Sequence, residues 1–252
     1  MVEKASCFRV QIFPAIDLKN GRCVRLLQGR AADETVYYED PLEPALAFQK
    51  AGTQWVHVVD LDGAFDGVPR NMAHVARIAA TGLKVQLGGG MRTLDNVEEA
   101  FHAGVRRVVI GTRACHDPDF VTGLIHRFGA ERLAVGIDAR DGRVAVDGWK
   151  NVSTVRAEEL ARKVCDLGIQ TIIHTDIATD GMLTGPNYAA QEAMLRATPA
   201  RIIASGGVAT REDVAKLAEM ARAHPRLEGV IVGKAIYEKK VDLADLLALA
   251  AG

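Results

Sequence analysis

At 252 residues, 48% of them hydrophobic and 25% charged, the chain has the composition of a globular protein with a substantial buried core. Its formal net charge of −1 gives no electrostatic footprint for nucleic acid or an anionic membrane surface. No apolar run reaches the roughly 20 residues that cross a bilayer, and the opening MVEKASCFRVQIF lacks a signal peptide's long apolar region, so the expected compartment is the cytoplasm.

Eight short, β-branched apolar runs follow one another along the chain: VQIFPAI (10–16), WVHVVDL (55–61), KVQLG (84–88), RRVVIG (106–111), RLAVGI (132–137), QTIIHT (170–175), ARIIAS (200–205) and GVIVG (229–233). They alternate little in polarity, as parallel strands covered on both faces do. Between them, EPALAFQKAG, TLDNVEEAFHAG, TVRAEELARKVCDLG and TREDVAKLAEMARAH have helical spacing, several opened by a Thr or Asp cap and closed by Gly. Eight βα units without a Pro/Ser-rich linker predict an α/β fold, a single (β/α)8 TIM barrel, over a doubly wound sheet.

The chain also repeats itself. PAIDLKNGRCV (14–24) returns as VGIDARDGRVA (135–145), which places Asp138 over Asp17. VVDLDGAFDG (58–67) matches IIHTDIATDG (172–181), with Asp62 over Asp176 and Asp66 over Asp180. LGGG (87–90) matches ASGG (204–207), and VVIG (108–111) matches VIVG (230–233). Preserved order and near-constant spacing predict two duplicated half-barrels, about residues 8–125 and 130–252. The first and fifth strands would then face each other across the barrel mouth.

In such a barrel the C-terminal strand ends and the loops after them build the active site. Asp17 and Asp138 each close a strand there, and Asp180, in the loop after the sixth strand, follows Thr175 by five residues. These four are the candidate catalytic residues. For Asp62, Asp66 and Asp176, capping a turn or helix is an equal reading. Carboxylates converging on one cavity acquire divergent protonation states, which supplies an acid and a base.

Glycine clusters mark the rest of the mouth. Gly88, Gly89 and Gly90 with Arg92 follow the third strand, and Gly111 with Thr112 follows the fourth. Ser205, Gly206 and Gly207 follow the seventh, and Gly233 with Lys234 follows the eighth. Such ends let backbone N–H groups approach an anion, so two phosphate sites on opposite sides of the mouth are expected. Trp149, on the loop after the fifth strand, either covers the barrel end or stacks on a planar heterocycle.

His57 and His174 fall within strands and read as packing or hydrogen-bonding residues. The histidines show neither HxH nor HExxH spacing, so no metal site is expected, and there is no GxGxxG or GxSxG. Cys7, Cys23, Cys115 and Cys165 are scattered without CxxC spacing and read as reduced thiols. The residues alone point to a cofactor-free enzyme that moves protons on an elongated, bisphosphorylated small molecule.

Taken together, PAIDLKNGRCVRLLQG, HVVDLDGAFDG, LGGGMR, GIDARDG, HTDIATDGMLTGPN, ASGGV and GVIVGKAIYE resemble, in order and over essentially the whole chain, the isomerase family of histidine biosynthesis. Met91 stands where that family more often has Ile. The resemblance implies an Amadori rearrangement of an aminoaldose carrying two phosphates to its aminoketose. It implies Asp17 as the base, and Asp138 or Asp180 as the acid, with the third carboxylate orienting the substrate.

Three other readings compete. The sister cyclase shares the duplication and the paired aspartates, but CVRLLQG (23–29) and DLDGAFDG depart from its pattern. An isomerase of two substrates, also acting on phosphoribosylanthranilate, is disfavoured by the GWKNVS loop. A non-catalytic barrel for a phosphorylated metabolite has no reason to hold three carboxylates near an anion. No exposed apolar stripe asks for a partner, so a monomer is expected.

Overall fold

The hydrophobic runs fold as strands that close on themselves. The computed structural model describes residues 10–27, 30–146 and 148–251. Cys7, Gln28 and Gly29 of the CVRLLQG stretch, and the outermost residues of the two expected half-barrels, lie outside the described residues. Twelve strands are present among those described: β1 (Gln11–Lys19), β2 (Arg22–Leu27), β3 (Arg30–Tyr38), β4 (Trp55–Asp60), β5 (Lys84–Gly88), β6 (Arg107–Ile110), β7 (Leu133–Arg140), β8 (Arg143–Val146), β9 (Asn151–Arg156), β10 (Thr171–Asp176), β11 (Arg201–Ser205) and β12 (Leu227–Val232).

Eight of them form the barrel. Parallel pairing runs β1–β4–β5–β6–β7–β10–β11–β12, and β12 returns to β1. Helices surround it, as expected of a (β/α)8 barrel. β1 and β7 stand four places apart in this ring, on opposite sides. Phe13, Ala15, Val109, Ala134, Ile173, Ile203 and Ile231 pack together inside the barrel, while the outward strand residues and the apolar helix faces form the larger core.

The other four strands are additions to the eight runs read from sequence. β1 continues beyond Asp17 and turns at Asn20-Gly21 into β2, which pairs with β3. β7 continues beyond Asp138 and turns at Asp141-Gly142 into β8, which pairs with β9. The NG and DG pairs take the positive φ values a tight hairpin turn needs. Asp17 and Asp138 therefore sit inside strands, where each strand leaves the barrel for its hairpin, rather than at strand termini.

Caps fix where the outer helices begin. Thr93 accepts from Asn96 N, and Thr210 forms a reciprocal capping box with Asp213, an arrangement worth about 1 kcal/mol per cap. Thr154 does not cap the helix expected after the fifth barrel strand. It belongs to β9, and that helix begins at Ala157. No helix among the described residues is long and apolar enough to cross a membrane.

Candidate active site

The barrel's C-terminal mouth holds a cavity of about 260 Å³. Asp17, Asp138, Thr175, Asp180 and Trp149 line it, together with Gly88, Gly89, Gly90, Arg92, Gly111 and Thr112. A smaller recess of about 50 Å³ opens beside it, lined by Arg25, Ser205, Gly206, Gly207, Gly233 and Lys234. Asp17, Asp180 and Ser205 border both spaces, whereas Asp138 borders only the larger. Every candidate site residue read from sequence thus falls on one of two adjoining spaces.

The two facing aspartates have different partners. Asp17 Oδ2 accepts from Arg25 Nη1 at 2.8 Å, and the guanidinium also donates to the carbonyl of Ala15. Arg25 lies over the Tyr237 ring, 5.0 Å from its centroid, and Tyr237 Oη donates to the same Ala15 carbonyl at 2.8 Å. Among the described residues no Lys or Arg is paired with Asp138. Trp149 Nε1 donates to its Oδ2 at 2.7 Å, and the Thr175 side chain, level with it on β10, supplies a second hydrogen bond.

Electrostatics follow from this arrangement. Burial pushes the carboxyls of Asp17 and Asp138 upward; Arg25 opposes the shift at Asp17, and the Trp149 and Thr175 donors oppose it at Asp138. Asp180 has no hydrogen bond to its carboxylate among the described residues. Burial, with the charges of Asp17 and Asp138 adding to it, raises its pKa to about 6. A carboxyl poised there exchanges protons near neutrality.

Backbone conformation shapes both glycine turns alike. Gly89 has φ +96° and Gly206 φ +91°, and a Cβ at either would lie within 2.8 Å of the carbonyl oxygen of Asp60 or Asp176 respectively. Only glycine combines that φ with so close an approach. The same contacts correct the pairing read from sequence. Asp176 corresponds in position to Asp60, not Asp62: each ends a barrel strand, and each carboxylate accepts from the side-chain amide of an asparagine eleven residues on, Asn71 or Asn187.

Asp60 caps the helix Leu61–Asp66, and Asp62 holds Asn20 N and Asn71 Nδ2, so both brace loops. Asp66 is exposed beside Arg70. Asp62 and Asp176 thus make the loop contacts of the capping reading, whereas Asp66 makes only its surface pair with Arg70.

Two cationic candidates are held by carbonyls. Arg92 donates to Ala64 O at 3.1 Å, and its own carbonyl accepts from Arg113. Lys234 Nζ donates to Gly181 O at 3.0 Å, which ties the loop bearing Asp180 to the end of β12. His174 bonds Gln191 and is buried. Among the described residues no group of three or more His, Cys, Asp or Glu is placed to hold a metal ion.

Sequence reasoning passed over Arg25. It stood in the quoted CVRLLQG, but only the hairpin, by folding β2 back on β1, brings it to Asp17. The signal available was an arginine following an NG turn on a strand whose partner carries the aspartate.

Residues 11–242 match the family model for histidine biosynthesis proteins. The chain belongs to the histidine biosynthesis protein family. Among its relatives, a protein of Opitutus terrae is 58% identical over 95% of this chain and 98% of its own length. One of Syntrophomonas wolfei is 46% identical over 94% of this chain and 96% of its own. One of Symbiobacterium thermophilum is 48% identical over 96% and 97%. All three are named as the 1-(5-phosphoribosyl)-5-((5-phosphoribosylamino)methylideneamino) imidazole-4-carboxamide isomerase. The three aspartates and the two glycine-lined spaces are thus features of a chain within this family.

Proposed function

We propose that this chain is the aldose–ketose isomerase its relatives are named for, and that it rearranges the bisphosphorylated aminoaldose to the aminoketose by acid–base chemistry. The observation that carries the reading is the convergence of Asp17, Asp138 and Asp180 on one cavity between two glycine-lined ends. One phosphate would sit at Gly88–Gly90, Arg92, Gly111 and Thr112. The other would sit at Ser205, Gly206, Gly207, Gly233 and Lys234. Both groups supply backbone N–H donors for an anion.

Protonated Asp180 gives its proton to the ribosyl ring oxygen as the C1–O bond breaks, and the exocyclic nitrogen's lone pair forms the C1=N bond. Asp17, where Arg25 opposes the upward push of burial on the carboxyl, takes the proton from C2. The C–H electrons then form C1=C2 and the C=N pair returns to nitrogen. The enaminol tautomerises to the ketone. Asp138, held by Trp149 and Thr175, orients the substrate, and Trp149 covers the heterocycle end. Acid and base each contribute on the order of 10²–10⁴-fold.

The duplication into half-barrels of about 8–125 and 130–252 belongs to the same reading, supported by the matched hairpins and by the Asp60–Asn71 and Asp176–Asn187 pairs. We take the enzyme to be a cytoplasmic monomer without a cofactor. The relatives' names favour neither the cyclase nor a binding barrel.

The deciding experiment is a cyclase-coupled absorbance assay on the aminoaldose without added metal or cofactor. Turnover that falls by about 10²–10⁴-fold in Asp17→Asn, with ligand binding retained, is expected. Near-wild-type turnover in Asp17→Asn would remove the base, and binding without wild-type turnover would favour the non-catalytic barrel.

A further inference from the structure

Ile173 packs inside the barrel, so its neighbour His174 on β10 faces the helices. There it borders a separate cavity of about 90 Å³, also lined by Asp141, Glu158, Asp176 and Ala190 and apart from the two spaces at the mouth. In the first half of the chain a side chain occupies the corresponding place. The offset that pairs Asp60 with Asp176 and Asn71 with Asn187 also pairs His74 with Ala190 and Leu42 with Glu158. The His74 ring packs on the first hairpin turn, where a Cβ at Gly21 would lie 3.0 Å from its Nε2. At the matching Gly142 the nearest atom to such a Cβ is Arg156 Nη2, at 3.4 Å. Alanine at 190 thus leaves a space where its counterpart places an imidazole ring. Glutamate at 158 puts a carboxylate beside that space, where its counterpart is apolar.

The walls of this cavity accept hydrogen bonds. Gln191 Nε2 donates to the His174 carbonyl at 3.1 Å, so the Gln191 oxygen faces the ring at 3.2 Å and Nδ1 carries the ring proton. Burial holds the ring below its ordinary pKa, which keeps it neutral near pH 7. With Nδ1 committed to Gln191, Nε2 is the lone pair available to the cavity, on a residue only 3% exposed. It has no protein hydrogen-bond partner among the described residues. Glu158 Oε2 is buried and likewise without a hydrogen bond; Arg156 Nε is 3.6 Å away, beyond hydrogen-bond reach. Asp176, which accepts from Ala178 N and Asn187, and Asp141 at the exposed rim add negative charge.

We propose that this cavity binds the imidazolium ring of a small ligand, one ring N–H donating to His174 Nε2 and the other to Glu158 Oε2. Buried acceptors among carboxylates favour a cation that donates hydrogen bonds. An imidazolium carries two N–H donors on a flat five-membered ring, and a ring of that kind fills the corresponding place in the first half. A cavity of roughly 150 Å³ takes benzene, so about 90 Å³ suits a smaller ring. The site uses none of the residues of the isomerase reading and stands independently of it.

The test is NMR of the ¹⁵N-labelled chain at pH 6.5, titrated separately with imidazole and L-histidine. Imidazole should shift the Ala190 and Gly142 amides and the His174 ring nitrogens, with a Kd of about 1 mM or tighter, a range open to so small a ligand. L-histidine shifting the same signals would support the free amino acid as the source of the ring. Imidazole alone doing so would support a ligand without that charged backbone. Thiazole, a ring of similar shape without N–H donors, should bind at least about tenfold more weakly. Ala190→His restores the first half's ring and should fold and abolish the shifts. Glu158→Gln keeps the shape, removes the charge and should weaken binding by about tenfold or more. No shifts at about 20 mM imidazole, far above the expected Kd, would overturn the proposal. So would shifts confined to the barrel mouth, thiazole binding as well as imidazole, or unchanged binding in Glu158→Gln.

Discussion

Trp149 Nε1 donates to Asp138 Oδ2 at 2.7 Å on the side of the barrel opposite the place where Arg25 pairs with Asp17. Two aspartates at matching positions therefore have unlike partners, a neutral N–H and a full positive charge. A guanidinium holds a carboxylate anionic far more firmly than an indole does. Trp149→Phe keeps an aromatic ring and deletes the N–H, leaving Asp138 with Thr175. We expect turnover to fall by about tenfold to a hundredfold, the range for losing a hydrogen bond to a charged group, with little change in Tm. Steady-state kinetics and a melting curve on the same preparation check both halves.

On the opposite side, Gly233 makes room for Arg25. A Cβ at residue 233 would lie 2.7 Å from the guanidinium carbon, so an added methyl group requires the Arg25 side chain to move. Gly233→Ala should therefore fold, because the obstructed group is the far end of a flexible side chain. It should displace Arg25 from Asp17, leave the upward push of burial on the carboxyl unopposed, and lower kcat/KM by more than about tenfold, as expected of a base that has lost its cationic partner. A rate within about twofold of wild type would show that Arg25 does not set the state of Asp17.

Much of this was legible in the sequence, for identifiable reasons. Buried parallel strands read as continuous apolar runs, so the eight barrel strands stood out with only end errors. Candidate site residues were legible because the fold confines them to strand ends and the loops beyond. The hairpins were missed because β2, β3, β8 and β9 mix charged with apolar residues, and one face of each lies outside the barrel core. Arg25 was missed with them, since its contact depends on β2 folding back on β1. The Asp62–Asp176 match failed by two residues because the sequence aligned DLDG-like letters, whereas hydrogen bonding aligns Asp60–Asn71 with Asp176–Asn187. His57 read as a packing or hydrogen-bonding residue, and a histidine within a strand gives no sign that it lines the cavity.

Asp60 predicts a stability effect. This fully buried carboxylate accepts from Gly63 N, Arg70 N, Asn71 N and Asn71 Nδ2, all between 2.7 and 2.8 Å. Asp60→Ala leaves these donors without their acceptor in a closed loop. The expected loss is about 3–5 kcal/mol, because unsatisfied buried donors carry their full desolvation cost. Urea unfolding measures it, and a loss under about 1 kcal/mol would mean the loop relaxes to water.

Asp180 couples activity to stability through pH. Its carboxyl is raised from 3.8 to about 6 by burial, Asp17 and Asp138. Between those values the folded protein binds more protons here than the unfolded chain, so this group's contribution is fully present below about pH 4 and is lost as pH rises through about 6. Above that, a charged Asp180 is a net cost to the fold. Asp180→Asn removes the charge while keeping the shape, so it should stabilise the protein at pH 8 by about 1–3 kcal/mol, since each tenfold change in proton affinity corresponds to about 1.36 kcal/mol. The advantage should shrink as pH falls through 6 and vanish near 4. Turnover should meanwhile drop by about 10²–10⁴-fold, because the amide has no acidic proton to give. Melting curves of both proteins from pH 4 to 8 settle the sign: a stability difference that does not widen with pH would mean that Asp180 is not held protonated by its neighbours, and the acid would have to be Asp138.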